Sequence, residues 1–347
     1  MKIGIIGIGY IGTIISAVLA SRGYEIVGID SSEENVKNLR EGKSHVYENG
    51  LNELFDKYSK NMFFSNDYSL ISNCDVILVT VGTPLTDKFD ADLSGLTDVA
   101  NNLGKFISED TLVCIKSTVT PGATQSFAKH IEESSGKKVG ADYFLAFSPE
   151  RIAEGRAISE FREFPIVVGA DDRDSLERIS NFWLSALGVE VIKINSYMGA
   201  EITKLASNLW IDLNIALANN VALICSENNV DVNEVILAAN SLPKGSSNVN
   251  ILNSSIGVGG SCLTKDPIFF ANLLDDFGQD SSLIRSARKV NEAMPGIYLQ
   301  KVRDWIERNN VPDPKISLVG LAFKNDTNDL RYSPMIEIYE RIRDYFS

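Results

Sequence analysis

"KIGIIGIGYIGTIISAVLASRGYEIVGID", residues 2 to 30, reads as strand, tight turn, helix and strand in one pass. A short apolar run leads into Gly7-x-Gly9-x-x-Gly12, a segment of helical apolar spacing follows, and a second apolar run closes on Asp30. A lone G-x-G-x-x-G is weak evidence. With a strand before it, a helix after it and an acid ending the next strand, it becomes the fingerprint of a dinucleotide site. The glycines let a pyrophosphate approach the helix N-terminus, where free N–H groups and the helix dipole favour an anion. Tyr10 and Ile11 sit inside that turn and join Gly7, Gly9 and Gly12 as expected cofactor contacts. Asp30 suits ribose hydroxyls and repels a 2′-phosphate, and Ser31 and Ser32 follow it rather than an arginine. The expected cofactor is NAD.

Working outward, "CDVILVTVGTP" ends a buried strand on Gly82, Thr83 and Pro84, and "TLVCIKSTVTPGAT" ends another on Ser117 and Thr118. Ligands of open parallel sheets sit outside the carboxyl ends of the strands, so these five residues are expected to face the cofactor. "DYFLAFSPERIAEG" and "FPIVVGA" add two more strands. The fold class is therefore α/β, opening with a Rossmann-like doubly wound sheet over residues 1–195. From Tyr197 the character changes: "YMGAEITKLASNLWIDLNIALANNVALICSENNV" has no proline, and no glycine after Gly199. Roughly 33 residues of helix span ~50 Å. Such a helix is too long and too apolar for a surface element and reads as the spine of an all-helical domain over 196–309. Being apolar on several faces, it is also expected to pack against a second copy as a homodimer. "DPKISLVGLAFKNDTNDLRYSPMIEIYERIRDYFS" then begins one more strand–loop–helix unit, read as the start of a truncated C-terminal α/β domain over 310–347.

Composition narrows the functional classes. The chain has 347 residues, 44% of them hydrophobic and 23% charged, the balance of a globular protein. A net charge of −13 argues against nucleic acid as a partner. No run resembles a targeting signal and none reaches ~18 consecutive apolar residues, so no membrane partner is expected and the location is read as cytoplasmic. The 4 cysteines (74, 114, 225 and 262) lack framework spacing and read as reduced thiols. The 2 histidines, His45 and His130, lie in polar surroundings, so neither a metal site nor a histidine base is expected.

Two constellations carry chemistry. Glu201, Lys204 and Asn208 fall on one face of the long helix, a polar stripe in an otherwise apolar element. A solvated face is the plain alternative, but neighbours Ile202, Leu205, Leu209 and Trp210 argue for a site lining. The second is "GVGGSCLTKDP", residues 257–267. Cysteine attacks as the thiolate, which cations or converging backbone N–H groups favour. Glycines 257, 259 and 260 are expected to supply such groups, and Lys265 or Lys204 the charge. A buried structural cysteine is the alternative. A nicotinamide enzyme needs no thiol to take an alcohol to a carbonyl. It needs one to go further, because an aldehyde has no convenient hydride to lose until a nucleophile adds.

At this point the sequence resembles the UDP-glucose/GDP-mannose dehydrogenases, the NAD-dependent nucleotide-sugar 6-dehydrogenases. The motifs "GIGYIG", "VGTP", "STVTPG", "SPERIAEG", "AEITKLASN", "GVGGSCLTKD" and "GLAFKNDTNDLRYSP" carry the likeness over essentially the whole chain. The resemblance implies Cys262 as the nucleophile that forms a thiohemiacetal and a thioester. It implies Lys204 and Asn208 at the oxyanion, Asp266 in proton transfer through a water placed by Thr118, and Glu150 at the hydrolytic water. Glu154 and Arg331 would meet the cofactor. Arg151, Asn253, Gly257, Gly259, Lys265 and Lys324 would join Glu150, Lys204, Asn208 and Cys262 around the UDP-sugar. "PERIAEG" looks like the UDP-N-acetylhexosamine members, above all those for N-acetylmannosamine, whereas Ser261 and Lys265 look like the UDP-glucose type. Members run on past Ser333-Pro334, which implies an incomplete nucleotide pocket here. The competing expectations are a two-electron β-hydroxyacid-type dehydrogenase, which has no use for Cys262, and an inactive NAD-binding fragment.

Overall fold

The apolar runs of the N-terminal half pair into one sheet of eight strands: β1 (Lys2–Ile6), β2 (Glu25–Ile29), β3 (Met62–Ser65), β4 (Val76–Val79), β5 (Leu112–Ile115), β6 (Phe144–Phe147), β7 (Ile166–Gly169) and β8 (Val191–Ile194). This is a computed structural model that describes residues 1–86 and 90–346. The strand order is β3-β2-β1-β4-β5-β6-β7-β8. All neighbours run parallel except β6 and β7, which meet antiparallel through Phe147 and Gly169. Strands β4 to β7 are buried at every residue, as a sheet covered on both faces requires.

The cover comes from α1 (Tyr10–Ser21), α2 (Glu33–Arg40), α3 (Leu51–Tyr58), α4 (Ser94–Phe106), α5 (Ala123–Ser135), α6 (Ala157–Glu163) and α7 (Arg173–Leu187). The order of strands reverses between β1 and β4, the switch point at which such sheets open a crevice for ligand. Tight approach of α1 to the strand–helix turn is what Gly12 permits: a Cβ there would lie 2.1 Å from the Gly7 carbonyl oxygen. The chain divides into two compact units, Met1–Lys204 and Leu205–Ser347, and the sheet lies in the first.

Helix α8 (Tyr197–Glu227) is 31 residues long, ~46 Å at the helical rise. It ends where Asn229 turns left-handed at φ 53, with the Val230 N–H reaching back to the Cys225 carbonyl. By length and composition it is the one helix among the described residues able to cross a membrane. Its acids Glu201 and Asp212 are nevertheless fully buried on protein partners. The second unit continues with α9 (Val232–Asn240), α10 (Asp266–Asp276), α11 (Ser282–Arg308) and α12 (Pro334–Phe346).

One expected strand is missing. Residues 315–323 run without a ladder, and Val319 is 91% exposed. A strand exists only with a neighbour to take its N–H and C=O groups. Among the described residues of this unit the sole ladder is the two-residue pair Pro243–Lys244 and Ser247–Asn248. The apolar run is thus strand-like in sequence and irregular in structure, while the helix expected after it forms at Pro334.

Gly12→Ala should destabilise the first unit by about 1–3 kcal/mol, the cost of overpacking. Urea unfolding followed by circular dichroism would register this as a lower midpoint.

Candidate active site

The turn after β1 has the shape that a pyrophosphate needs. Gly7 adopts φ +91 and a Cβ on it would strike the Val81 backbone at 2.8 Å, so it is fixed by packing. Gly9, by contrast, has nothing within 4 Å of where a Cβ would point, and no side chain caps α1. The helix N-terminus therefore faces open space. Asp30 accepts from the Ile8 N–H at 2.7 Å through Oδ2 and from the Ser32 N–H at 2.9 Å through Oδ1. Each oxygen keeps a lone pair for a ribose hydroxyl. At the next strand ends, the Thr83 hydroxyl donates to the Thr118 carbonyl at 2.5 Å and the Ser117 N–H to the Val79 carbonyl at 3.2 Å. These contacts tie together the two loops expected to face the cofactor, and Gly82 and Pro84 stay exposed at their rim. The cradle open at Gly9 and Gly82, with a free-ended helix and an acid beside it, fits NAD.

Two of the expected cofactor residues hold the cradle by their side chains. Ile11 packs against the hydrophobic core. Tyr10 donates its hydroxyl to Glu48, and the Gly155 N–H donates to the same carboxylate oxygen at 2.8 Å. Burial and then Glu48 push the Tyr10 pKa up, which keeps the phenol a donor. Glu48 is buried, and sequence reading missed it because a polar loop, "EGKSHVYENG", carries no spacing signal.

Glu150 lies in the turn after β6. Its Oε1 accepts from the N–H groups of Arg151 at 2.9 Å and Ile152 at 3.2 Å. The Lys116 ammonium stands 3.1 Å from Oε2, outside hydrogen-bond direction, with the lysine side chain only 1% exposed. Arg151 turns its guanidinium to the Pro165 carbonyl. Glu154 is half-buried next to Gly155 in the same turn.

The expected polar stripe on α8 divides by role. Glu201 is a cap for α5, not a site lining: it accepts from the Gly122 N–H at 2.7 Å, the Thr124 N–H at 2.9 Å and the Thr124 hydroxyl at 2.6 Å. Burial pushes its carboxyl pKa up, against these donors. Lys204 is buried one turn later, and Asn208 one turn after that. In the second unit Asn208 donates to Asp266 Oδ2 at 2.5 Å, and the Lys265 ammonium stands 3.1 Å from Oδ1. Asp266, wholly buried, opens α10.

Cys262 sits in the turn just before that helix. Its carbonyl accepts from the N–H groups of Lys265 and Asp266, and its thiol is exposed, unlike those of the other three cysteines. The glycines around it serve a different purpose from the one expected. The Gly260 N–H donates to the Arg331 carbonyl at 3.0 Å and the Gly257 N–H to the Ser255 hydroxyl at 3.4 Å, so neither is aimed at sulfur. A Cβ on Gly259 would meet Phe323 at 2.5 Å and the Tyr332 carbonyl at 2.8 Å. Missing side chains let the segment 320–334 clasp the cysteine loop.

Behind the loop lies a buried network with no counterpart in the expected site. Asp212 takes the Arg288 guanidinium at 2.7 Å and the Asn291 amide at 2.8 Å. Asn291 accepts from Asn219, which in turn accepts from the Ser255 N–H. Of the remaining expected contacts, Asn253 and Lys324 are exposed in loops, and Arg331 is exposed and bidentate to Asp329. Burial raises the Asp329 carboxyl, and the Arg331 side chain and N–H outweigh it, so its pKa is held low.

Residues 1–186 match the NAD binding domain of the UDP-glucose/GDP-mannose dehydrogenase family, and residues 198–293 match that family's central domain. The chain belongs to this family. The UDP-N-acetyl-D-mannosamine dehydrogenase of Pyrococcus horikoshii is 32% identical, over 99% of this chain and 81% of its own. A UDP-glucose 6-dehydrogenase of Haloferax volcanii is also 32% identical, over the same shares. Among solved structures, the Pyrococcus UDP-D-ManNAc dehydrogenase superposes with TM-score 0.89 at 32% identity, covering 99% of this chain and 81% of that one. A UDP-glucose dehydrogenase from Pyrobaculum islandicum gives 0.88 at 30% identity, covering 100% and 80%. The turn at Gly7–Gly12 and the loops at Gly82 and Thr118 all lie inside the stretch that matches that family's NAD binding domain.

Gly9→Ala should leave the unfolding midpoint unchanged and raise the NAD dissociation constant by about tenfold or more, roughly 1.4 kcal/mol. Calorimetric titration reads the affinity, and unaltered binding would contradict an anion seat at this turn.

Proposed function

We propose that this chain oxidises the C6 alcohol of a UDP-sugar to the carboxylate, in two steps, with Cys262 holding the half-oxidised sugar. The observation that carries the reading is an exposed thiol in the turn before α10, followed directly by the buried Asn208–Asp266 pair, in a chain with an NAD cradle. Two NAD⁺ bound in succession would supply the hydride acceptors, one for each oxidation. In the first, Asp266 draws the alcohol proton through a water positioned by Thr118, and the Lys204 ammonium steadies the growing oxyanion. Cys262 then adds to the aldehyde carbon as thiolate, and the proton taken up by Asp266 returns through the same water to the carbonyl oxygen, which becomes the thiohemiacetal hydroxyl. Loss of that proton and of the second hydride leaves a thioester. Glu150 takes a proton from the attacking water, the C–S bond breaks, and Cys262 is restored as the uronate leaves.

On the sugar side, Arg151, Asn253, Gly257, Gly259, Lys265 and Lys324 complete the reading, with Glu154 and Arg331 at the cofactor. The "PERIAEG" motif and the relatives named for UDP-N-acetyl-D-mannosamine favour an N-acetylhexosamine substrate over UDP-glucose. Four free cysteines and a nucleotide-sugar substrate suit the cytoplasm. The dimer is read from α8. Trp210, Leu217 and Ile224 are 46%, 49% and 67% exposed and recur every two turns along one face. That spacing is the seam by which one helix packs on another, and we assign its cover to a second copy of the chain.

Two NADH per UDP-N-acetylmannosamine consumed is the expected stoichiometry; a single NADH would favour the two-electron reading. Cys262→Ser should bind NAD as before and lose net acid formation, since an oxygen nucleophile cannot carry the acyl transfer. Lys204→Ala should lower kcat by about 10²-fold or more while changing NAD affinity little. Replacing Trp210 and Leu217 together by Glu should shift the particle toward half its mass in sedimentation; an unchanged profile would remove the α8 seam as an interface.

A further inference from the structure

Lys116 is a cation sealed in the core of the first unit. It is only 3% exposed, at the end of β5, where the strand's other residues are all apolar. Its ammonium lies 4.9 Å from the ring centre of Trp183 and 5.7 Å from that of Phe161, with the Ser148 carbonyl at 3.3 Å and Glu150 Oε2 at 3.1 Å. The open space beside the pair is a cleft of ≈ 20 Å³, walled by Pro149, Ile152, Phe161 and Pro165 among others. That is room for about one water. The charge is therefore met by protein atoms, and among the described residues Glu150 is the carboxylate that pairs with it.

A buried lysine is costly, because its desolvation must be offset by its partners. Ser148, Pro149 and Glu150 follow β6, the strand paired with β5, so the lysine and the acid meet at adjacent strand ends. Two backbone N–H groups hold Oε1 and the ammonium faces Oε2, so both carboxylate oxygens are constrained. The side chain as a whole is left 12% exposed, while Oε2 itself is buried against the ammonium. Without the ammonium, Oε2 would have no partner inside the protein, and the carboxylate would be freed to turn.

We infer that Lys116 is a positioning residue for Glu150, fixing the carboxylate in the orientation from which it takes the proton of the hydrolytic water. This rests on the reading of Glu150 as base for thioester hydrolysis. It follows that loss of Lys116 slows release of the acid and spares formation of the thioester. A lysine that only filled the core would act on folding and on every step alike.

The test is rapid-mixing NADH absorbance with UDP-N-acetylmannosamine and NAD at micromolar enzyme, on wild type, Lys116→Met, Glu150→Gln and the double variant. Methionine matches the apolar part of the lysine stem and suits the aromatic wall. Glu150→Gln should show a burst of up to two NADH per site and then a slow phase. Lys116→Met should show the same burst, its slow phase reduced by about tenfold to the 10²–10⁴ that general-base loss costs. The double variant should be no slower than Glu150→Gln. It removes both buried charges and so stays folded even where Lys116→Met, with a stranded carboxylate, does not; its comparison with Glu150→Gln then decides the matter alone. A Lys116→Met enzyme with no burst, or a double variant slower than Glu150→Gln by a further large factor, overturns the inference. Absence of a burst in Glu150→Gln removes the base reading itself, and the inference with it.

Discussion

A charge taken out of water must find its partner inside the protein, and in this molecule that constraint decides where the candidate catalytic groups can stand. Lys116 and Glu150 meet at adjacent strand ends. Glu201 closes the N-terminus of α5 with three donors. Asp266 is shared between Asn208 and Lys265, and Asp212 between Arg288 and Asn291. Burial pushes the Glu201 and Asp212 carboxyls up, and in both the neighbouring donors work against it. Removing one member of such a set strands the rest, which costs more than the set contributes. The polar groups are therefore held in single orientations, as chemistry at fixed distances requires.

The backbone supplies the second constraint. In a parallel sheet covered on both faces, the carboxyl ends of the strands are where loops can open to a ligand. In the first unit the turn after β1, the loops at Gly82 and Thr118, and the turn carrying Glu150 all sit at such ends. Glycine has opposite uses within one motif: Gly7 and Gly12 are closed off by neighbouring backbone, whereas Gly9 faces empty space. In the second unit Gly259 and Gly260 are closed off by Phe323, so the loop carrying Cys262 is shaped by the segment that follows α11.

How much of this was legible beforehand follows from how local each signal is. The strand–turn–helix at residues 2–30 and the long helix from Tyr197 are written in short-range periodicity, and both could be read directly. The cysteine loop could be recognised by its motif, but the direction of its glycine N–H groups could not, because Arg331 and Ser255 reach it through folding. Glu201 shared a helical face with Lys204 and was expected to line a site; its partners on α5 lie far away in sequence. Lys116 stands inside the strand-like run "TLVCIKSTVTPGAT", and nothing nearby announces a buried ion pair. Glu48 and Arg288 escaped for the same reason. The run that opens the strand–loop–helix unit after Asp313 looks like a strand because side-chain pattern alone does not reveal whether a neighbouring strand is present.

All of the chemistry assigned to this member of the UDP-glucose/GDP-mannose dehydrogenase family turns on a covalent bond to one sulfur. Acid quenching during turnover with UDP-N-acetylmannosamine and NAD, followed by digestion and peptide mass mapping, examines that bond without relying on rates. An added sugar nucleotide is expected on the peptide containing Cys262 and on no other cysteine peptide, enriched in the Glu150→Gln variant. An enzyme that yields uronate while the Cys262 peptide stays unmodified under the same quench would contradict it.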